Sequence, residues 1–556
     1  MSSMATTSDQ WWKNGTFYCL DIETFFDGNG DGIGDLDGLA QRIDYLAGIG
    51  ITTIWLMPFF PTPDRDDGYD ISDFLAVDAR LGDLGRFVDV VRTAHDRGMR
   101  IIIDLVVNHT SDTHPWFQAA CADRDSPFHD WYVWSDTKPD AGKMEEVFPG
   151  EQGGVWTYDR HVRRWYMHRF HQHQPDLNIA NPAVRAEIAR IVGFWMALGV
   201  DGFRVDAVPF LIELEGIAEA PSIDPHVYLR ELRSFVQRRQ GDAILLGEVN
   251  LPPDGQRQFF GDETGNELNL VFNFSVMQRI YLALVRQDAT VVAEALDVLP
   301  SVPFDCQWAT FLRNHDELTL DQLSDDERQE VFDALGPDPD MQVYGRGLRR
   351  RLPPMLDGDG RRLRMAYSLL FSLPGTPVLF YGEEIGMGEN LAAKGREAVR
   401  TPMQWSDEPG AGFSTADPST FPEPLVEGEF GPIAVNVAAQ RRDPDSLLSW
   451  FERLIRRRRE TPEFGFGTWQ LIRSGVPAVL THRCDWQDST VVAVHNFSAE
   501  PCRVEIPLDG IDDLVAVDDL LDGDPADVGD GTLDLTIEGY GYRWLQVRRQ
   551  GQPPRP

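Results

Sequence analysis

The chain has 556 residues and a formal net charge of −38, from 51 basic and 89 acidic side chains. This length exceeds one ordinary hydrophobic core, so one large domain with at least one smaller domain is expected. The charge disfavours nucleic acid and anionic membranes as partners, and the absence of a leader-like or membrane-spanning segment indicates an unexported protein. Scattered cysteines without paired spacing argue against a disulfide framework, which favours the cytoplasm.

Short apolar, β-rich segments alternate with segments of helical periodicity from residue 16 to about residue 385. The strand candidates are, in chain order, TFYCLDI, TTIWLMP, RIIIDLVVNH, GFRVDA, AILLGEV, LNLVFNF, WATFLRNHD and TPVLFYGEEI. Eight strands, each followed by a helix or a long insertion, predict an α/β fold, a (β/α)8 TIM barrel. A doubly wound sheet is disfavoured because no glycine-rich phosphate turn follows the first strand.

Three insertions interrupt this alternation, and each leaves from the C-terminal end of a strand, the face on which barrel active sites are built. After residue 465 only β-type segments remain, which indicates a separate β-domain. The predicted parts are a barrel at 10–109 and 181–462, an inserted subdomain after the third strand at 110–180, lid-like insertions at about 317–362 and 386–440, and a C-terminal antiparallel β-sandwich domain at 466–548.

Charged and polar side chains collect at the C-terminal ends of four predicted strands. Arg204 and Asp206 are two residues apart on a strand, so they project from the same face. Because barrel strand ends converge, we expect these side chains to meet at a ligand, where neighbouring carboxylates take on different pKa values. The residues concerned are Asp104, Asn108, His109, Arg204, Asp206, Glu248, His315 and Asp316.

The segments DLVVNH, GFRVDA, LLGEVN and FLRNHD, in this order, resemble the four signature segments of the α-amylase superfamily, glycoside hydrolase family 13. The resemblance covers nearly the whole chain and includes QPDLN, which is similar to the fifth segment. It implies that Asp206 is the nucleophile, Glu248 the general acid/base, and Asp316 the third carboxylate, which holds sugar hydroxyls. A retaining mechanism of this kind needs a nucleophile and an acid roughly 5 Å apart.

The resemblance also implies a set of residues that bind the sugar. Tyr69 of RDDGYDISDF would stack on the ring, and Asp66 would pair with Arg400 of VRTPMQW to close the pocket at the non-reducing end. Such a pair blocks long chains, so an exo-acting enzyme on disaccharides is implied and an endo-amylase is disfavoured. The implied substrate-binding residues are Asp66, Tyr69, His109, Arg204, His315 and Arg400.

Within the superfamily, the chain most resembles the trehalose synthases, through NGDGIGDLDGL, VVNHTSDTHPWFQ, FLRNHDELTL, GLRRRLPPML and AVRTPMQW. These enzymes are implied to interconvert maltose and trehalose by intramolecular glucosyl transfer under a lid that excludes water. The segments DIETFF, GEVN and MEEVFPGEQGG depart from the trehalose synthase pattern. The departures leave open an exo-acting α-glucosidase or an α-glucosyltransferase on small α-glucosides.

A calcium loop is predicted at DGNGDGIGD, residues 27–35, where acidic and amide side chains recur at the spacing of calcium ligands. Its candidate ligands are Asp27, Asn29, Asp31, Asp35 and the carbonyl of Ile33. Gly38 stands where an EF-hand has its Glu, so an EF-hand sensor is disfavoured. The resemblance to the small-substrate family members implies a structural Ca²⁺ at this loop. A second Ca²⁺, implied by the resemblance to trehalose synthases, would use Asn108, Asp176 and Glu213.

Two other classes of function stay open at this point. A non-catalytic sugar-binding protein is compatible with the fold, although such a protein would usually have lost one of the three carboxylates. A metal-dependent hydrolase would need clustered histidine ligands, for which HRFHQH at residues 168–173 is the candidate. The expected partners are small α-glucosides, and a homo-oligomer is left open.

Overall fold

The computed structural model describes residues 10–139, 144, 146–212, 224–511, 514–521, 526, 528–529 and 531–551. Its centre is a closed barrel of eight parallel strands that follow one another around the barrel in chain order, so the predicted fold is confirmed. The strands are β1 (Phe17–Leu20), β2 (Thr53–Leu56), β3 (Arg100–Leu105), β4 (Gly202–Val205), β5 (Ile244–Gly247), β6 (Leu270–Phe272), β7 (Gln307–Thr310) and β8 (Thr376–Phe380).

One main helix follows each strand and covers the outside of the barrel. The first of them begins at a side-chain cap, Asp35, which accepts the Gly38 N–H, and ends at Gly50 in the left-handed conformation (φ 97°). The helices are α1 (Leu36–Ile49), α2 (Leu84–His95), α3 (Pro182–Ala197), α4 (Val227–Arg239), α5 (Pro253–Gln258), α6 (Phe274–Arg286), α7 (Gly360–Ser372) and α8 (Leu447–Glu460).

Shorter helices lie in the connections between these elements. The α-helical ones are Ile22–Phe25, Pro115–Ala122, Val208–Leu211, Thr290–Asp297, Asp325–Leu335, Leu352–Met355, Val437–Gln440 and Glu463–Phe466. The 3₁₀ turns are Trp11–Lys13, His129–Trp131, Pro339–Met341, Glu383–Ile385, Gly395–Val399, Pro409–Gly412, Pro418–Thr420 and Gly428–Phe430. Among the described residues, no helix combines the length and apolarity that a membrane span requires.

Two small antiparallel sheets stand above the C-terminal ends of the barrel strands. The connection after β3 carries strands Trp134–Ser135, Trp156–Asp159 and Arg164–Met167. The connection after β7 carries strands Leu318–Thr319, Gln342–Val343 and Gly347–Leu348. Both connections therefore have secondary structure of their own at the face where a barrel binds its substrate.

The C-terminal domain consists of two antiparallel sheets around an apolar core of its own. Its interface with the barrel includes buried polar contacts: Trp544 donates to Ser368 Oγ at 3.1 Å, and His482 contacts the Ser372 carbonyl at 2.9 Å. One sheet contains Thr468–Leu471, Val479–Trp486, Ser489–Asn496, Leu514–Asp519 and Tyr542–Arg549, and the other contains Cys502–Pro507, Val528–Gly529 and Thr532–Ile537.

Candidate active site

A buried guanidinium is the centre of the site. Arg204, on β4, is 1% exposed and donates to three carboxylates: Asp104 Oδ1 at 2.7 Å, Asp206 Oδ1 at 2.6 Å and Glu248 Oε2 at 2.7 Å. Asp104 is held from its other oxygen by Trp55 Nε1 at 2.8 Å. The strand ends of β3, β4 and β5 thus deliver their charged side chains to one point, as the sequence predicts.

The turn after the predicted nucleophile brings Asp206 and Glu248 together. Ala207 adopts the left-handed conformation (φ 45°), which is uncommon for a residue with a Cβ, and its N–H donates to Glu248 Oε2 at 3.3 Å. Burial raises the pKa of Glu248 to about 7 and that of Asp206 to about 6, and the adjacent Arg204 opposes both shifts. Glu248 therefore holds its proton to higher pH than Asp206, as an acid beside an ionised nucleophile requires.

Asp316 has the opposite environment. Burial favours its neutral form, but His315, Arg396, Arg400 and Arg204 outweigh burial and hold its pKa below the ordinary value. Arg396 and Arg400 donate to its Oδ1 at 2.7 and 3.2 Å. Asp316 is therefore a permanent anion, suited to accept sugar hydroxyls and unsuited to donate a proton.

Tyr69 and the two predicted histidines form a neutral wall. The Tyr69 hydroxyl contacts His315 Nε2 at 2.7 Å with the two rings stacked, and His109 Nε2 contacts the Tyr69 carbonyl oxygen at 3.1 Å. Burial lowers the pKa of His109 to about 4 and that of His315 well below its ordinary value. Both imidazoles are thus neutral near pH 7 and can exchange hydrogen bonds with sugar hydroxyls.

The predicted pair between Asp66 and Arg400 is wrong. Asp66 Oδ1 instead accepts from Arg396 Nη2 at 2.5 Å, and its other oxygen accepts from Gln174 at 2.7 Å. Arg400 pairs with Asp67 and donates to the His315 carbonyl at 2.8 Å. The physical reason is the backbone at Asp67, which has φ 47°, so adjacent aspartates reach different arginines. The sequence signal for Arg396 was the segment GREAVRT, in which two arginines stand four residues apart.

A cavity of about 360 Å³ lies at the C-terminal ends of the strands. Both insertions contribute to its wall. Phe148 packs against Tyr344 with ring centroids 5.1 Å apart and the rings tilted by 45°, and Arg346 donates to the Val147 carbonyl at 2.8 Å. The lining residues are Asp66, Tyr69, His109, Glu146, Val147, Phe148, Arg169, Phe170, Asp206, Ala207, Pro209, Phe210, Glu248, Asn250, Leu251, Phe274, Asn314, Asp316, Glu317, Thr319, Asp321, Arg346 and Arg396.

The arginine-rich segment at residues 349–351 follows the strand Gly347–Leu348 and anchors the loop that carries Arg396. Arg349 donates to the Gly395 carbonyl at 3.1 Å, Arg350 pairs with Glu389 at 2.9 Å, and Arg351 donates to the Val399 carbonyl at 3.0 Å. The segment is predicted to be part of a lid, and Arg350 does donate to the Leu335 carbonyl of that insertion at 2.8 Å. Its contacts with the neighbouring loop also position the arginine that closes the pocket.

The predicted calcium loop is folded around Asp27. The carboxylate of this buried residue accepts the backbone N–H groups of Asn29, Gly30 and Gly32 at 3.0, 2.6 and 2.8 Å. Asp31 accepts the Ile33 N–H at 2.9 Å. Gly38 also has a steric role, because a Cβ there would lie 1.9 Å from the Phe26 carbonyl oxygen.

A cluster of carboxylates also lies outside the predicted calcium loop. Within the described ranges, the one group of three or more acidic, His or Cys ligand atoms within 4.8 Å of one another is Glu23, Asp64 and Asp67. The carboxylates of the 27–35 loop form no such group among themselves.

The second predicted calcium site and the histidine-rich segment have other contacts. Asn108 donates to Asp176 Oδ1 at 3.1 Å, and Glu213 lies outside the described residues. His168 contacts Thr157 Oγ1 at 3.0 Å, and the His171 ring stacks on Phe148. The histidines of HRFHQH thus take part in packing and hydrogen bonding in the inserted subdomain.

Comparison with known proteins finds a matching family for the barrel and another for the C-terminal domain. The family described as "Alpha amylase, catalytic domain" matches residues 22–334 and 349–466, and "Sucrose hydrolase-like, C-terminal domain" matches residues 489–546. A trehalose synthase from Pimelobacter sp. is 39% identical over 100% of this chain and 99% of its own. The "Trehalose synthase/amylase TreS" of Mycobacterium tuberculosis is 41% identical over 98% of this chain and 92% of its own.

Solved structures extend the similarity to the three-dimensional fold. The trehalulose synthase MutB from Pseudomonas mesoacidophila has a TM-score of 0.77 at 28% identity, covering 97% of this chain and 99% of that one. The alpha-amylase from H. orenii has a TM-score of 0.77 at 27% identity, covering 96% of this chain and 100% of that one.

The pKa shifts predict that neutralising Glu248 and neutralising Asp316 change stability in opposite directions. Because the pKa of Glu248 is higher in the folded protein than in the unfolded chain, protonated Glu248 stabilises the fold. This stability is fully present below pH 4.5, the unfolded pKa, and is lost as the pH rises through about 7. Glu248→Gln should therefore be more stable than wild type at pH 8, by about 1–2 kcal/mol, with a smaller gain at pH 5. Urea unfolding at both pH values measures this.

Asp316→Asn is the matched control for that measurement. Because cations lower the pKa of folded Asp316, its ionised form stabilises the fold above its unfolded pKa near 3.8, and this stability is lost as pH falls. The asparagine variant should be less stable than wild type at pH 8. A loss of stability at pH 8 in both variants would contradict the assigned environments.

Proposed function

The chain belongs to the α-amylase family, glycoside hydrolase family 13, and we propose that it is a retaining enzyme that interconverts maltose and trehalose by intramolecular glucosyl transfer. One observation carries this assignment: Arg204 holds Asp206 and Glu248 on one guanidinium, at 2.6 and 2.7 Å, in a closed pocket. Full-length similarity to trehalose synthases, at 39 to 41% identity, supports the same reaction.

The first half of the reaction breaks the glycosidic bond. The Asp206 carboxylate attacks the anomeric carbon of the bound glucosyl unit while Glu248 gives its proton to the departing oxygen. The products are a glucosyl ester on Asp206 and a free glucose that stays in the pocket. Arg204 keeps Asp206 ionised, and the Asp316 anion holds hydroxyls of the transferring ring.

The second half forms the new bond. Glu248, now a carboxylate, takes the proton from a hydroxyl of the free glucose, and that oxygen attacks the anomeric carbon and displaces Asp206. If the attacking hydroxyl is the anomeric one, the product is trehalose; if it is the 4-hydroxyl, maltose forms again. Two inversions at the same carbon retain the α-configuration of the transferred unit. Water in place of glucose would give hydrolysis.

The closed end of the pocket supports a small substrate. The ion pair between Asp66 and Arg396 lies across the cavity wall next to Asp316, and Gln174 fixes Asp66 from behind at 2.7 Å. A glucosyl unit that fills this end leaves no path for a longer chain beyond its non-reducing side. An exo-acting enzyme on disaccharides follows, in place of an endo-acting amylase.

Turnover of maltose and trehalose tests the reaction directly. Incubation with either sugar, followed by NMR of the anomeric protons, should show conversion into the other with a minor share of free glucose. Asp206→Asn and Glu248→Gln should each lower turnover by at least about 10³-fold, because each removes a chemical role with little change in volume. Release of glucose alone would instead identify an α-glucosidase, and full activity in either variant would refute the mechanism.

The contact between the two insertions predicts how transfer is favoured over hydrolysis. Arg346 joins the lid to the inserted subdomain through the Val147 carbonyl. Arg346→Ala should raise the share of glucose among the products about threefold or more, because a looser lid admits water to the glucosyl ester. Arg328→Ala is the matched control, since Arg328 lies on the helix Asp325–Leu335 of the same insertion and pairs with Asp325 outside the cavity. An unchanged product ratio in Arg346→Ala would rule out this role.

We also propose that residues 27–35 bind a structural Ca²⁺. The oxygen donors of this loop are of the type that Ca²⁺ prefers, and the backbone already turns around the Asp27 carboxylate. The ion would stabilise the loop through Asp27, Asn29, Asp31, Asp35 and the Ile33 carbonyl. The second site, at Asn108 and Asp176, stays a prediction, since its proposed third ligand lies outside the described residues.

Thermal unfolding tests the calcium proposal without reference to activity. Ca²⁺ in excess over chelator should raise the Tm by about 2–4 °C, as expected for a ligand at about 100 times its Kd. Asp31→Asn should remove this shift, and Asp37→Asn should keep it, because Asp37 is exposed on α1 and pairs with Arg86. The same shift in both variants, or none in wild type, would contradict the proposal.

A cytoplasmic location is consistent with the cysteines. All five are free thiols in the structure, and Cys19, Cys306 and Cys484 are buried among apolar side chains. A reducing compartment preserves such thiols. Thiol counting on protein purified under non-reducing conditions should therefore return five reactive groups after denaturation.

A further inference from the structure

A second cavity, far from the catalytic carboxylates, is lined by arginines. It is an open groove of about 920 Å³ between the end of α1, at residues 47–50, and the outer side of α8. Because α1 leads into β2, this groove lies at the N-terminal ends of the barrel strands, opposite the active site. We name it the arginine groove, after Arg441, Arg442, Arg453, Arg456 and Arg459.

The five guanidinium groups have no carboxylate partner in the part of the chain that the structure describes. None of them is within 4.0 Å of an acidic oxygen, whereas most other arginines of the described chain form ion pairs. Two glutamates line the groove, and one of them, Glu460, is paired with Arg457 at 2.9 Å. The groove is thus a local excess of positive charge on a chain with a net charge of −38.

Helix electrostatics explain only part of this cluster. Basic residues near the C-terminus of a helix interact favourably with its dipole, which accounts for Arg456 and Arg459. Arg453 lies in the middle of α8, and Arg441 and Arg442 precede this helix. Their exposed side chains line the same groove, where Arg453 donates to the Pro444 carbonyl at 3.0 Å and Arg441 lies over the Tyr45 ring. An anion in the groove would offset the repulsion between their like charges.

We propose that the arginine groove binds a phosphoryl group, carried by a phosphorylated sugar or present as free phosphate. Guanidinium groups bind phosphate oxygens through paired N–H donors, and several of them around one site can surround a dianion. The small residues Ala47, Gly48 and Gly50 form the opposite wall and leave room for the rest of the molecule.

The negative charge of the rest of the chain favours a small anion over a long one as the ligand of the groove. A long polyanion such as nucleic acid would extend from the groove onto a strongly acidic surface and be repelled there. A single phosphate ester would stay within the groove, where arginines outnumber glutamates. This site is independent of the proposed isomerase reaction, since none of its residues lines the catalytic cavity.

Calorimetric titration of the full chain tests the site, with glucose 6-phosphate, inorganic phosphate and glucose as separate probes at about 0.15 M ionic strength. Glucose 6-phosphate should bind saturably at one site, and glucose should not bind there. Inorganic phosphate binding equally well would identify the free ion as the source. Binding should weaken at least about tenfold in Arg453→Gln/Arg456→Gln, which removes charge-assisted hydrogen bonds. Arg238→Gln, at an exposed arginine of α4 outside the groove, should bind as wild type does.

Three results would overturn the proposal. The first is no saturable binding of either phosphate probe below about 10 mM. The second is equal binding in the double variant and in wild type, with circular dichroism showing that both are folded. The third is a dimer in sedimentation analysis that dissociates in the double variant, which would mean that the acidic surface of a second copy occupies the groove. None of these results would affect maltose and trehalose interconversion, so the two proposals fail separately.

Discussion

The buried guanidinium of Arg204 is the interaction on which the site depends. It lies 1% exposed among Asp104, Asp206 and Glu248, and donates to each of them at 2.6 to 2.7 Å. Burial raises the pKa values of all three carboxyls, and the one cation they share opposes this rise without cancelling it. The strained Ala207 is part of the same arrangement, since its N–H is turned onto Glu248. This arrangement lowers the stability of the folded protein, and it provides a protonated acid beside an ionised nucleophile.

A second group of cations creates the opposite state at Asp316, in the same cavity. Asp316 contacts two arginines, Arg396 and Arg400, and its pKa falls although burial acts to raise it, as it does for the other three carboxyls. The difference between proton donor and permanent anion therefore does not come from residue type or from burial. It comes from the number of guanidinium groups that each carboxylate shares. The two arginines that lower the pKa of Asp316 also close the end of the pocket, so substrate length and charge state are set by the same contacts.

The insertions complete a pocket that the barrel alone would leave open. Phe148 and Tyr344 meet from two different connections, and Arg346 ties the same connections together. Both connections leave from the C-terminal ends of strands, so their closure acts directly on the reacting atoms. In a glucosyl-transferring enzyme this closure decides whether the ester on Asp206 meets glucose or water.

The sequence by itself determined the barrel, its eight strands and the strand-end carboxylates, because these follow from local periodicity and from the alternation of side chains along a strand. It did not determine the partner of Asp66. Asp66 and Asp67 are neighbours, Arg396 and Arg400 stand four residues apart, and local patterns do not distinguish the pairings. The tertiary structure decided between them through the left-handed backbone at Asp67 and the arginine-rich segment that anchors the loop of Arg396. The arginine groove also depends on the tertiary structure: its five arginines lie close together in the sequence, but its opposite wall comes from the end of α1.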